Sequence, residues 1–96
     1  MIAIPLRELV GEFAENKDIA RTIRESQILP ALKVQEDITL DFSDVTSATQ
    51  SFVHALISEP IRQYGNDVLD HISFKNCNET VQKIITIVTE YMQEAA

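Results

Sequence analysis

Two glycines, three prolines and one cysteine are all that this 96-residue sequence holds of the residues that loosen, kink or cross-link a chain. With so few breakers, most of the chain is expected in regular structure. Cys77 has no second cysteine to pair with, so an internal disulfide is excluded, as suits a reducing cytoplasm. The two glycines, Gly11 and Gly65, are isolated, which excludes both a G-x-G-x-x-G fingerprint and a Walker loop. No apolar run approaches the ~20 residues that cross a bilayer, and no basic stretch leads into an apolar one at the N-terminus. The expected location is therefore cytoplasmic. Basic residues are scarce as well: eight Lys and Arg face fifteen Asp and Glu, for a net charge of −7. A nucleic-acid binder needs cations to neutralise phosphates, and neither a basic run nor a basic–aromatic stripe is present. The same repulsion speaks against anionic membrane surfaces. A charged partner is expected to be basic.

What is present reads as an ordinary globular chain, 45% apolar and 24% charged. Its length fits one domain over 1–96, with a modest core and no room for a second unit. Ile2-Ala3-Ile4 reads as an edge strand cut short by Pro5. Leu6, Leu9, Val10 and Phe13 carry a helical turn or two, interrupted by Gly11. Asn16 can cap a helix beginning near Lys17, with Ile19, Ala20 and Ile23 facing inward, and Pro30 marks a kink or a short second helix. The clearest strand is 37–43, where Ile38, Leu40 and Phe42 alternate with Asp37, Thr39 and Asp41. A polar turn over 43–49 leads into a helix over 50–64, whose inward stripe is Phe52, Val53, Leu56, Ile57, Ile61 and Tyr64, with a bend at Pro60. Gly65-Asn66-Asp67 is a turn, and Ile72 and Phe74 mark a strand over 71–75. Asn78 can cap a last helix with Val81, Ile84, Ile85, Val88, Tyr91, Met92 and Ala95 at helical spacing. Strand, helix, strand, helix, strand, helix predicts an α/β layer fold: a single sheet of three to four strands flanked by helices.

Chemistry-bearing residues are few. His54, His71 and Cys77 stand at no ligand-pair spacing, so no metal is expected, nor any other cofactor. Ser51, His54 and Asp41 supply the residue types of a triad, but without a nucleophile elbow or a glycine-rich oxyanion loop; the chain is not expected to be an enzyme. Cys77 reads as a small apolar group rather than a reactive thiol. His71 carries no assigned role, and Glu8, Glu12, Glu15 and Lys17 read as solvated surface. The informative feature is the polar side of the helix over 50–64. At 100° per residue, Ser51, His54, Ser58 and Arg62 share it. Ser51 lies in the first turn, where backbone amides lack partners and added negative charge is stabilised.

The ordered set Ile38-Thr-Leu-Asp-Phe-Ser-Asp-Val45, Thr49-Gln-Ser-Phe-Val53 and Ile72-Ser-Phe-Lys-Asn76, with Leu9-Val-Gly11 near the start, resembles the STAS-like domains, relatives of the anti-sigma factor antagonists. The likeness covers 36–96 well and 1–35 loosely. It implies a mixed sheet flanked by helices and a regulatory role in protein–protein interaction. In the wider family the partner is an anti-sigma factor that is also a Ser/Thr kinase-type ATPase, and it phosphorylates a Ser at the start of the helix after the central strand. Ser51 falls there, so it is the candidate phosphoacceptor, and Asp41 matches the acidic strand end. The family's usual Asp-Ser-Ser-Gly turn is Thr49-Gln50-Ser51-Phe52 in this chain, and a bulky ring in place of Gly would change how a kinase approaches Ser51. The expected partner-binding surface is Asp41, Thr49, Gln50, Ser51, His54, Ser58 and Arg62. It would meet a kinase-type ATPase or a second copy of the chain. Relatives sometimes bind nucleotides or small anions near the same helix start, so a ligand-sensing module is the second reading and a serine-dependent enzyme the third.

Overall fold

A computed structural model describes residues 1–95. Three strands form a parallel sheet in the order β1 (Ile2–Pro5), β3 (Ile38–Asp41), β5 (Ile72–Lys75). Between β1 and β3 lie α1 (Leu6–Val10), the two-residue strand β2 (Phe13–Ala14), α2 (Lys17–Ile23), a π-turn over Arg24–Ile28 and α3 (Leu29–Lys33). Between β3 and β5 lie the two-residue strand β4 (Ser47–Ala48), α4 (Gln50–Tyr64) and a 3₁₀ turn over Asn66–Asp70, and α5 (Glu79–Ala95) follows β5. The α/β class and the flanking helices are as the sequence predicts. The strand direction differs: every pair is parallel where a mixed sheet was expected. The reason is connectivity. Each pair of neighbouring main-sheet strands is joined by a long helical crossover, which returns the chain to the same end of the sheet.

Register explains the burial. Ile2, Ile38 and Ile72 form one row across the sheet, and Ile4, Leu40 and Phe74 the next; these rows and Phe42 face the helices and are buried or half-buried. The opposite face carries Ala3, Thr39 and Ser73. Ala3 and Ser73 are exposed, but Thr39 is buried although the alternation placed it outward. Its central position and Met1, whose Sδ lies 3.5 Å from Thr39 Oγ1, shield it.

Local signals set the helix ends. Asn16 Oδ1 accepts from the amides of Asp18 and Ile19 at 2.9 and 3.2 Å, which starts α2. The π-turn absorbs the approach to Pro30, which has no N–H to give, and α3 follows directly. α4 runs to Gly65, whose φ of +81° and ψ of 179° form an extended positive-φ conformation open essentially only to glycine. On α4 the inward stripe is Phe52, Val53, Leu56, Ile57 and Ile61; Tyr64, at the last turn, is exposed. On α5, Val81, Ile85, Val88 and Met92 are buried, Ile84 is half-buried and Tyr91 is exposed, so the predicted stripe is narrower than its spacing implied. The expected inward position of Ala95 lies outside the described side chains, as does Ala96 altogether. Among the described residues no helix is long and apolar enough to cross a membrane.

Candidate functional site

The short pair β2–β4 builds the site. Ala14 lies beside Ala48 in parallel register, and the amide of Thr49 donates to the carbonyl of Ala14 at 3.0 Å. Each strand runs almost at once into a helix, β2 through Asn16 into α2 and β4 through Thr49 into α4. The two helices therefore start side by side. Thr49 caps α4, its Oγ1 accepting from the amide of Phe52 at 3.1 Å. Arg24, in the π-turn, reaches back across the gap, and its Nη1 donates to the carbonyl of Ala55 on α4 at 3.2 Å.

A cleft of about 480 Å³ opens between α2 with its π-turn, α4 and α5. Lys17, Arg21 and Arg24 line one side, Gln50, Ser51, His54, Ala55 and Ser58 the α4 side, and Ile87, Val88 and Tyr91 the α5 side. Ser51 is exposed. Phe52, one position on, is wholly buried. Consecutive helix positions diverge by 100°, so the ring points into the core and does not stand in the approach to Ser51, contrary to the expectation. Ser58 is only 4% exposed, so it belongs to the wall of the cleft rather than to an open polar face. The helical wheel assigned it outward; the neighbouring helices cover it.

The remaining predicted surface residues lie apart. Arg62 is exposed, pairs with Glu59 at 3.7 Å and does not line the cleft. Asp41 belongs to a different cluster at the carboxyl end of the sheet. Its Oδ1 accepts from Asn76 Nδ2 at 3.0 Å, Ser43 Oγ at 2.7 Å and the Ser43 amide at 2.9 Å. These three donors, Asn76 first, hold the carboxyl below its ordinary value of 3.8. A lowered folded-state pKa stabilises the fold above the ordinary value, and that contribution is lost as pH falls through the lowered one. In urea unfolding between about pH 5 and about pH 2.5, Asp41→Asn is thus expected to lose less stability than the unaltered chain. Equal losses would show that the cluster does not bind the ionised carboxyl.

The histidines and the cysteine do not converge. His71 Nδ1 lies 2.8 Å from Asp37 Oδ1, at the end of β3 opposite Asp41. Cys77 is half-buried, and burial, then the charge of Asp41, push its thiol up, which suits a packing residue better than a nucleophile. No group of three His, Cys, Asp or Glu able to hold a metal is found among the described residues.

Sequence reasoning found Gln50, Ser51, His54 and Ser58 but missed the facing wall. Lys17, Arg21 and Arg24 stand at i, i+4 and i+7, one side of a helix, and that spacing was the available signal. Lys17 is exposed, as its reading as solvated surface predicts, and it also lines the cleft. The net charge of −7 also misleads locally. No Asp or Glu lines the cleft, so its charged lining is positive although the chain is acidic as a whole.

Residues 19–82 match a family model described as a STAS-like domain of unknown function (DUF4325). No curated protein and no solved structure matches the chain. The matched span holds the α4 wall together with Arg21 and Arg24, while Lys17, Ile87, Val88 and Tyr91 lie outside it.

Proposed function

The chain belongs to the STAS-like domain family, and from that premise we propose that it is a regulatory protein-binding module controlled at Ser51. The observation that carries this reading is the exposed Ser51 in the first turn of α4, at a cleft lined by Lys17 and Arg21. A partner docks on the cleft mouth at Gln50, Ser51 and His54, with the exposed capping residue Thr49 beside it. A phosphate on Ser51 brings about −1.5 to −2 charges, which free first-turn amides and nearby cations favour. It would draw Lys17 and Arg21 toward itself and close the mouth, so the modified chain releases its partner. The family likeness suggests a kinase-type ATPase as that partner, with a second copy of the chain as the other candidate. On this reading the chain performs no chemistry of its own. Ser51 and His54 share the cleft, but among the described residues no hydrogen bond joins them, and Asp41 is engaged by Ser43 and Asn76 elsewhere.

The test is affinity capture from native cell extract with Ser51, Ser51→Ala and Ser51→Glu chains, followed by titration of each captured protein in purified form. A protein bound by the first two chains and weakened about tenfold or more (about 1.4 kcal/mol) by Ser51→Glu supports the reading. A partner bound equally by all three removes the switch. No protein held specifically by any of them removes the docking role as well.

A further inference from the structure

We propose that the part of the partner protein that enters the cleft between α2, α4 and α5 is an acidic, amphipathic helix, its carboxylates on Lys17 and Arg21 and its apolar side chains on Ile87 and Tyr91. This rests on the docking role given to the cleft above and adds the chemistry of what docks. Charge is segregated at this place. Acidic residues outnumber basic ones fifteen to eight in the chain, yet three of the eight cations line the cleft and no Asp or Glu does. A partner matched to the chain as a whole would be basic; a segment matched to the cleft has the opposite sign.

The cations form a row, not a point. Lys17, Arg21 and Arg24 stand at i, i+4 and i+7, about 10 Å from first to last at roughly 1.5 Å per residue. Arg24 is fixed in the wall by the Ala55 carbonyl and by the Glu25 carboxylate at 2.8 Å. The other two are available. Lys17 is exposed, and Arg21 has only a 3.7 Å exposed pairing with Asp18, a weak contact that an incoming carboxylate readily replaces. These two lie one helical turn apart, which is also the spacing of carboxylates at i and i+4 on another helix.

The α5 wall is apolar. Ile87 and Tyr91 also stand one helical turn apart, are 47% and 62% exposed, and both line the cleft. A helix with acidic side chains on one stripe and apolar ones on the next matches both edges at once, the helix-in-groove mode of recognition. Ser51 lines the same cleft, so a negative charge placed on it competes with the docked carboxylates for Lys17 and Arg21. Release of the partner is then electrostatic displacement.

The experiment is an NMR titration of the ¹⁵N-labelled chain with three synthetic helical peptides of about 16 residues. All carry leucine on one stripe; the adjoining stripe is glutamate, glutamine or lysine. The glutamate peptide is expected to move the amide signals of Arg21, Ser51 and Tyr91, with a dissociation constant at least about tenfold below that of the glutamine peptide, and the lysine peptide is expected to leave those signals in place. In the double variant Lys17→Glu/Arg21→Glu the order should reverse, with the lysine peptide bound better than the glutamate one. Misfolding cannot produce such a reversal, and both side chains are exposed. Tyr91→Ala, also exposed, should weaken the glutamate peptide about fivefold or more and keep its preference over the lysine peptide. Absence of shifts at the cleft up to about 1 mM glutamate peptide would overturn the proposal. So would equal affinity for the glutamate and lysine peptides, or a preference that the double variant leaves in place. Ser51→Glu should weaken the glutamate peptide about tenfold; unchanged affinity removes the displacement step and leaves the acidic chemistry standing. A native partner captured and released as described above, with no peptide bound, leaves the docking role standing and removes this chemistry.

Discussion

Replacing Phe52 by alanine is expected to destabilise the fold by about 3–5 kcal/mol. The ring is fully buried in the first turn of α4, within the core cluster that includes Val53, Leu56 and Phe42. Its loss removes both the transfer term and the packing around the vacated volume. A chain of this length has a total stability of about 5–14 kcal/mol, so the change removes at least about a fifth of it. Urea unfolding with a constant m value is the measurement. Ser51→Ala, one position away and exposed, is expected to stay within about 0.5 kcal/mol. The contrast matters for function. Restoring a small residue beside Ser51, as the wider family has it, would not open access to the serine. It would weaken the helix that presents it. Should Phe52→Ala prove as mild as Ser51→Ala, the ring does not sit in the core and the placement of α4 is wrong.

Asn78→Ala is expected to cost about 2–3 kcal/mol, although the side chain is exposed. One amide group serves two elements. Its Oδ1 accepts from the amide of Val81 at 2.8 Å and caps α5, while its Nδ2 donates to the carbonyls of Val45 and Thr46 at 3.3 and 2.8 Å. Asn78→Asp keeps the acceptor and loses both donors, so an intermediate loss of about 1–2 kcal/mol is expected. Because Val45 and Thr46 lead directly into β4, hydrogen exchange at Ser47–Ala48 should accelerate in both variants. If Asp and Ala are equally harmful, capping of α5 contributes nothing. If exchange in β4 is unchanged, the loop is held by something else.

Much of the fold was legible because its signals are local and periodic. The bounds of α4 follow from an apolar stripe between a capping Thr49 and Gly65, and β3 follows from alternation. Asn16 and Asn78 were readable as caps because a short polar side chain before an apolar run satisfies free amides wherever it stands. The rest depended on neighbours. β2 and β4 are two residues each, too short for any period to register. Tyr64 and Tyr91 match the stripes by spacing, but Tyr64 stands at the last turn of α4, and Tyr91 shares the side of exposed Ile87 rather than the buried row of Val81, Ile85, Val88 and Met92. Ser58 shows the converse, a polar wheel position roofed by helices from elsewhere in the chain. The α4 half of the cleft was visible as one face of one helix. The other half comes from α2 and α5, and only the tertiary arrangement sets it opposite Ser51.

The parallel bridge of Phe13–Ala14 to Ser47–Ala48 has one more implication. Main-chain pairing sets the spacing of the two walls where α2 and α4 begin, and among the side chains Arg24, bound to the Ala55 carbonyl, ties them further along. The exposed residues that face the gap without bridging it can therefore be exchanged, in nature or by design, without altering its width. Recognition at this place is free to diversify while the frame that dimensions it stays the same.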